Sequence, residues 1–406
     1  MDVTITELAG GELAQIPLTV LGVVGPAVPA PLEPAVRLGR GVSVASASSL
    51  SDRGLIARSF EQRGKGRFRT DLLLEVVDGV DYAVRKGETL GVVGESGCGK
   101  SVLVRSLMRI IQEPGRIDGG QILFYPERDA GPVDLVQQSD DYLCGLRGNQ
   151  MSMIFQEPNA ALNPIMSIGN QIAESFLIHR REELDRDAST TSCVIPTPSK
   201  SRLRKEALRR VVSLLEQLGI ANTKEIVHRF PHELSGGMKQ RIVIAIALAC
   251  RPMLLIADEA TSNLDVTIQA QILQLLLELK KTQISSVLLI THDLGVVAET
   301  CQRVGVMYAG NLCEVADVRE LFSNPRHPYT QALLAAVPKF SQEGQLKSID
   351  GNVPNLVTPP PGCRFHPRCT QAKPACRERF PADTHLGNNH TVACYLYTDQ
   401  PRASVP

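Results

Sequence analysis

The stretch "TLGVVGESGCGKSVLVRSLMRII" (89–111) decides the fold of this 406-residue chain. It begins with a short apolar run (89–94) that is typical of a buried strand, and the apolar spacing of its last part (101–111) predicts a helix. Between the two lies the pattern G-x-x-x-x-G-K-[ST], whose backbone N–H groups, lysine and hydroxyl can surround phosphate groups. A strand, a phosphate-binding loop and a helix in this order predict a nucleotide-binding protein of the α/β class.

The residues of this loop have distinct expected roles. Lys100 can reach the β- and γ-phosphates, and Ser101 can ligate Mg²⁺. The helix that follows directs the positive end of its dipole at the bound anion. The predicted nucleotide-binding residues of the loop are Gly94, Glu95, Ser96, Gly97, Cys98, Gly99, Lys100 and Ser101.

Two further apolar runs, "MLLIAD" (253–258) and "SVLLIT" (286–291), predict parallel strands that are buried on both faces. An amphipathic helix (267–281) is predicted between them. A strand, a helix and a strand in sequence favour an α/β core.

Polar side chains follow both runs. Asp258 is placed to hold Mg²⁺ through water, and Glu259 to orient or deprotonate the attacking water. His292 could contact the γ-phosphate. Each signal is weak alone, because a strand end in solvent or a structural histidine is the simpler explanation, and the upstream phosphate loop is what strengthens all three.

A second anion-binding feature is "LSGGMKQR" (234–241), in which a serine and two glycines precede an apolar helix. One chain then has two phosphate-binding features for one nucleotide. Two chains arranged head to tail resolve this, each offering Ser235, Gly236 and Gly237 to the ATP that is held on the loop of the other.

Together these motifs resemble the ATP-binding cassette (ABC) ATPases, over about 60–340 and with every motif in order. The resemblance implies a P-loop NTPase fold of the ABC type, with ATP and Mg²⁺ as cofactors. It matches Gln156 in "MIFQEP" to a glutamine that senses Mg²⁺ and couples to membrane subunits, and Asp265 to the D-loop aspartate. Asp258, Glu259 and His292 match the Walker B aspartate, the catalytic glutamate and the switch histidine.

Two positions depart from the family pattern, since Ala260 stands for a proline and Asn263 for an alanine. Neither departure removes a catalytic group. An aromatic residue should stack on adenine ahead of the phosphate loop, and Phe60 is the candidate, with Phe68 as the alternative.

The domain boundaries follow from composition and from this resemblance. Residues 1–50 are rich in Gly, Pro, Ala and Ser, which predicts a disordered extension. Residues 51–322 are expected to form the ABC ATPase domain, with a helical subdomain at about 159–234. Residues 323–406 are expected to form a small tail domain that contains four cysteines.

Details of the sequence resemble the ATP-binding subunits of oligopeptide/dipeptide importers, most clearly "QEPNAALNPIMSIGNQIAE" (156–174) and "NPRHPYTQALLAAVP" (324–338). The resemblance implies a peripheral ATPase at the cytoplasmic face of the bacterial inner membrane. Its partners would be two transmembrane permeases, a solute-binding protein and a second ATP-binding subunit. A related second chain is expected for that subunit, with a homodimer as the alternative. Nickel, an opine, an oligosaccharide or glutathione are the alternative solutes.

The tail cysteines, Cys363, Cys369, Cys376 and Cys394, fall within 32 residues. Four thiolates close in sequence suit an iron–sulfur cluster or zinc, although zinc sites more often show closer pairs. In some members of the resembled family these cysteines hold a [4Fe–4S] cluster. Thiols without any ligand are the third interpretation.

Composition bounds the remaining functions. Lys and Arg together number 43, and Asp and Glu together also number 43. This balance of charge disfavours a general nucleic-acid surface. The longest uncharged stretch (13–32) contains four prolines and is a poor membrane span. Two less favoured readings are a soluble ABC ATPase that acts on nucleic acid or ribosomes, and an inactive regulatory cassette.

Overall fold

The structure, a computed structural model, describes residues 34–46, 75–112, 115–126, 131–190, 200–260, 265–282, 284, 286–337, 349–356 and 358–402. The strands in these ranges are β1 (Pro34–Ser46), β2 (Glu75–Arg85), β3 (Thr89–Val93), β4 (Gly115–Gly119), β5 (Ile122–Phe124), β6 (Val133–Asp134), β7 (Met151–Ile154), β8 (Leu254–Asp258), β9 (Ser286–Ile290), β10 (Arg303–Tyr308), β11 (Asn311–Asp317), β12 (Asp383–Gly387) and β13 (His390–Ala393).

Helices connect and cover these strands. They are α1 (Lys100–Leu107), α2 (Asp140–Leu146), α3 (Pro158–Ala161), α4 (Ile168–His179), α5 (Arg181–Thr190), α6 (Lys200–Gln217), α7 (Thr223–Ile226), α8 (Gly236–Leu248), α9 (Val266–Thr282), α10 (Leu294–Thr300), α11 (Val318–Ser323) and α12 (Pro328–Ala335). None of these described helices combines the length and the apolar character that a membrane crossing requires.

An eight-stranded sheet in the order β12-β13-β11-β10-β3-β9-β8-β7 forms the centre of the fold. The five strands from β10 to β7 are parallel neighbours. The predicted strands at 89–94, 253–258 and 286–291 are thereby confirmed as β3, β8 and β9. A smaller antiparallel sheet has the strand order β2-β1-β5-β6, and β4 also pairs with β1.

The parallel strands are buried on both faces, as their continuous apolar runs predict. Leu255 and Ala257 of β8 pack into one apolar cluster, whereas Leu254 and Ile256 pack into the other. Side chains alternate between the two faces of a strand, so each face carries its own half of the core. Packing on both faces therefore fixes the positions of these strands and of their carboxyl ends.

Two predicted boundaries differ from the structure. Helix α1 ends at Leu107 rather than at 111, because Arg109 adopts a φ of 49° and its guanidinium donates to the carbonyls of Leu135 and Gln138. Strand β1 lies inside residues 1–50, whose composition predicts a disordered extension, and pairing with β2 supplies the hydrogen bonds of residues 34–46. The rest of 1–50 lies outside the described residues.

The C-terminal tail is continuous with the central sheet. Val392 and Thr391 of β13 pair with Glu314 and Val315 of β11, and β12 then pairs with β13. Buried Glu314 stabilises this junction by accepting hydrogen bonds from the backbone N–H of His327 at 2.9 Å and from His390 Nε2 at 2.7 Å. The tail therefore extends the sheet beyond its antiparallel edge.

Candidate functional site

The predicted site residues meet at one edge of the central sheet. The phosphate loop follows β3, Asp258 ends β8 and Glu259 comes directly after it, Gln156 follows β7, and His292 follows β9. Because neighbouring parallel strands present their carboxyl ends at the same edge, strand order alone brings these segments together.

The phosphate loop folds tightly because its glycines leave room for backbone. A Cβ atom at Gly94 would lie 2.1 Å from the carbonyl oxygen of Met307, and one at Gly99 would lie 2.5 Å from that of Val76. Gly99 also has a φ of +102°, which residues with a Cβ rarely adopt. The loop conformation thus depends on glycine at both positions.

Lys100 is buried and bends back over the loop. Its Nζ donates to the carbonyl oxygens of Gly94 at 2.8 Å and of Glu95 at 3.0 Å. Cys98 Sγ lies 3.7 Å from the same Nζ, and burial raises the pKa of this thiol. The ammonium group is therefore held where a phosphate bound by the loop would meet it.

Ser101, at the start of α1, and Asp258, at the end of β8, lie in contact. The Ser101 hydroxyl donates to Asp258 Oδ1 at 2.9 Å. Asp258 Oδ2 is buried and has no hydrogen-bond partner within the described part of the chain. Burial raises the pKa of Asp258, since the charged carboxylate is desolvated. An orphaned carboxylate oxygen beside a hydroxyl fits a hard cation with oxygen ligands.

Glu259 lies between Gln156 and His292. Gln156 Nε2 donates to Glu259 Oε2 at 2.8 Å, and His292 Nδ1 lies 3.7 Å from Glu259 Oε1. The backbone of Glu259 has a φ of 46°, an uncommon conformation for a residue with a side chain. An amide donor, a carboxylate and an imidazole in contact can hold and deprotonate a water molecule.

The glycine-rich segment before α8 forms the predicted helix start. Ser235 is the N-cap, and its hydroxyl accepts from the backbone N–H of Met238 at 3.4 Å, while Gly236 and Gly237 open the helix. Asp265 plays a similar role before α9, where its carboxylate accepts from the N–H of Ile268 at 3.0 Å.

One contact that the sequence did not predict joins α8 to the end of β8. Gln240 Nε2 donates to the carbonyl oxygen of Ala260 at 2.6 Å, and both residues are buried. Ala260 is the residue that replaces the family's proline. The candidate aromatic residues Phe60 and Phe68, and Asn263, lie outside the described residues.

The four tail cysteines line one small cavity, together with His327 and Phe365. Cys363, Cys376 and Cys394 are buried and Cys369 is half-buried. Burial raises the pKa of Cys363 to about 12 and that of Cys394 to about 11. Among the described residues, no group of three or more His, Cys, Asp or Glu side chains is arranged to hold a metal ion.

Sequence reasoning also missed the tail residues that touch the phosphate loop. Arg368 forms a bidentate ion pair with Glu95, at 2.7 and 3.1 Å. Tyr329 Oη accepts from the backbone N–H of Glu95 at 3.0 Å. No local pattern marks either contact, since both connect residues more than 230 positions apart.

Comparison with known proteins agrees with this geometry. A family model described as ABC transporter matches residues 77–262, and one described as oligopeptide/dipeptide transporter, C-terminal region, matches residues 313–376. The oligopeptide transport ATP-binding protein AppD of Bacillus subtilis is 44% identical over 335 residues, which cover 82% of this chain and 94% of that protein. The chain belongs to the oligopeptide/dipeptide transport family of ABC ATP-binding proteins.

Other members of this ABC family are similarly close. The dipeptide transport ATP-binding protein DppD of Bacillus subtilis is 44% identical, over 80% of this chain and 89% of that protein. The solved dimeric ABC transporter cassette MJ0796 shares the fold alone, with a TM-score of 0.50 at 21% identity over 70% of this chain and 99% of that one. The expected ABC-type α/β fold is confirmed, and the chain is an ATPase of the ABC class.

Proposed function

We propose that this chain is the ATP-hydrolysing subunit of a bacterial importer of dipeptides or oligopeptides. The observation that carries the proposal is the meeting of the phosphate loop with Asp258, Glu259, Gln156 and His292 at one sheet edge. The names of AppD and DppD, and the match of residues 313–376 to the oligopeptide/dipeptide transporter tail, support the solute class.

ATP binds with its phosphates on the loop from Gly94 to Ser101. Backbone N–H groups and the Lys100 ammonium neutralise the phosphate charge. The residues that would hold Mg²⁺ are Ser101, Asp258 through its free Oδ2, and Gln156 once it releases Glu259. Mg²⁺ held there would neutralise charge on the phosphates.

Glu259 is the proposed general base. Its carboxylate accepts the proton of the attacking water, and its left-handed backbone fixes the direction of the side chain. We propose that His292, whose Nδ1 lies 3.7 Å from Glu259 Oε1, contacts the γ-phosphate. We propose that residues 157–174 receive the permeases, and that Gln156, which leads directly into this segment, couples the site to them.

Hydrolysis requires two chains arranged head to tail. Ser235, Gly236 and Gly237 at the start of α8 contact the nucleotide of the facing cassette, and Asp265 contributes to the same interface. ATP then closes the dimer and hydrolysis opens it. The second cassette is a paralogous chain, in a complex with two permeases and a solute-binding protein at the cytoplasmic face of the inner membrane.

The tail cysteines are proposed to hold a [4Fe–4S] cluster with a structural role. The support is that four thiols, the soft donors such a cluster takes, line one cavity, although the described side chains are not arranged to hold a metal ion as they stand. When bound, the group cross-links a segment that has little core of its own. Iron and sulfide analysis of anaerobically purified protein tests this, and protein without iron contradicts it.

Uptake of labelled peptides tests the whole proposal. The gene is deleted in its host, and accumulation of a dipeptide and oligopeptide set is measured after rescue with the wild type or with Glu259→Gln. We expect rescue by the wild type alone. Unchanged uptake in the deleted strain, with other peptide importers also removed, would reassign the solute to nickel, an opine, an oligosaccharide or glutathione.

A further inference from the structure

We propose that Arg368, in the C-terminal tail, is a positioning residue of the phosphate loop that acts through Glu95 and sets the affinity for ATP. The inference rests on the ABC-class ATPase activity and not on the proposed solute or on the cysteine ligand. It gives the tail a direct part in nucleotide binding.

Glu95 is the point where the tail and the phosphate loop meet. Its carboxylate receives both arms of the Arg368 guanidinium, at 2.7 and 3.1 Å. Its backbone N–H donates to Tyr329 Oη at 3.0 Å, and its carbonyl accepts from Lys100 Nζ at 3.0 Å. One residue thus receives two contacts from the C-terminal region and one from the phosphate-binding lysine.

The Arg368 side chain is held rigidly, because all five of its N–H donors are used. Besides the two bonds to Glu95, Nε donates to the carbonyl of Asp350 at 2.8 Å, Nη2 to that of Ile349 at 3.2 Å, and Nη1 to Tyr308 Oη at 3.2 Å. The guanidinium also lies over the Tyr308 ring, 5.7 Å from its centroid. Only 5% of the side chain is exposed.

The electrostatic consequence concerns the phosphates. Glu95 is the second residue of the loop, so its carboxylate is a negative charge next to the site of a polyanion. The paired Arg368 neutralises that charge and fixes its direction, in surroundings where only 26% of the Glu95 side chain is exposed. Without Arg368, the carboxylate would be unpaired and would repel the phosphates.

A double-mutant cycle that removes the two charges, made in the full-length protein, tests this. The variants are Arg368→Gln, Glu95→Gln and the double variant, each checked for folding by thermal unfolding. Affinity for a fluorescent ATP analogue with Mg²⁺ is measured by titration, and the KM for ATP and kcat are measured by phosphate release. The matched control is Arg402→Gln, a tail arginine that donates to the carbonyl of Gly79 and to Asp383, away from the loop.

We expect Arg368→Gln to weaken ATP binding and to raise KM about tenfold, within the range typical of coupling between two sites, with kcat nearly unchanged. Arg402→Gln should stay within about twofold of the wild type. Glu95→Gln leaves the Arg368 cation unpaired beside the phosphates and should bind ATP at least as tightly as the wild type. The double variant should recover most of the lost affinity, since the repelling charge is gone.

Two results would overturn the inference. One is wild-type affinity in folded Arg368→Gln. The other is a double variant that binds as weakly as Arg368→Gln, because a purely structural role of Arg368 predicts no rescue. If Arg368→Gln does not fold, Glu95→Gln provides the measurement: loss of the carboxylate should leave ATP binding as tight as in the wild type or tighter, and weaker binding contradicts the proposal. None of these readouts depends on peptide uptake.

Discussion

At the β7 end of the central sheet the strands run parallel and every residue of β8 and β9 is buried, whereas at the β12 end they run antiparallel and most of β12 is exposed. The first end carries the residues that we propose for ATP hydrolysis. The second carries the tail, in which short strands and turns are fixed by buried polar contacts such as the hydrogen bond between His390 and Glu314.

The two ends differ in what positions their side chains. At the parallel end, apolar packing on both faces positions the strand ends, and the catalytic side chains follow from strand order. In the tail, individual polar contacts position the chain, so the loss of one contact should have a larger effect on stability. Changes of the proposed catalytic side chains at the first end should therefore alter activity more than stability, and changes of the buried contacts of the tail should alter stability more than turnover.

The largest expected effect is at Glu259. Replacing the proposed base by glutamine, Glu259→Gln, should lower ATP turnover by about 10²- to 10⁴-fold, the usual contribution of general base catalysis. ATP binding and the melting temperature should remain near wild type. Phosphate release and nucleotide titration measure both, with the exposed Glu299→Gln of α10 as the control. Near-normal turnover would remove Glu259 from the mechanism.

The tail should be sensitive to acid through His327. Burial lowers the pKa of His327 to about 3, from an ordinary value of 6.5. The folded state therefore keeps the ring neutral, while the unfolded state takes up a proton as the pH falls below about 6.5. Stability should fall by about 1.4 kcal/mol per pH unit from there toward pH 3.

Urea unfolding at pH 7 and pH 5 checks this expectation. His327 Nδ1 accepts from the N–H of Tyr329, so His327→Asn keeps a helix cap without the titrating ring and should reduce the pH dependence. The exposed His385→Asn serves as the control. An unchanged pH dependence in His327→Asn would place the acid sensitivity elsewhere.

At the parallel end, replacing Asp258 should weaken Mg²⁺ binding and yet raise stability. Asp258→Asn should weaken the binding of Mg²⁺ with ATP by about 10- to 100-fold. Because burial raises the pKa of Asp258, the ionised carboxylate costs stability at pH 7, and that cost is relieved as the pH falls toward the raised pKa. The nucleotide-free variant should therefore unfold at a higher temperature than the wild type at pH 7. A lower melting temperature would contradict this electrostatic account.

The smallest expected effect compares two loop glycines. Gly99→Ala places a Cβ against the carbonyl of Val76, whereas Gly97→Ala, with a φ of +78°, meets nothing within 4 Å. Both substitutions place a Cβ at a positive φ, so backbone strain is common to the two variants. The free energy of unfolding of Gly99→Ala should be lower than that of Gly97→Ala by about 1–2 kcal/mol, because only Gly99→Ala adds crowding. Denaturant unfolding of the nucleotide-free proteins measures the difference, and equal stabilities would show that the loop can shift away from β2.

The sequence predicted the parallel end well, because its signals are local. Apolar runs define β3, β8 and β9, and the residues that follow them include Asp258, Glu259 and His292. The Arg368–Glu95 pair joins residues 273 positions apart, and nothing near Arg368 marks its partner. The pairing of β13 with β11 was missed for the same reason, since short strands carry little periodicity.

The β11–β13 pairing also bears on self-association. Without the tail strands, β11 would become the outermost strand of a sheet whose interior is strongly apolar, and its backbone N–H and C=O groups would face solvent in a row. Such rows recruit strands from neighbouring molecules. A chain shortened before His390 should thus precipitate or form fibrous aggregates as its concentration rises, even where its ATP site is intact.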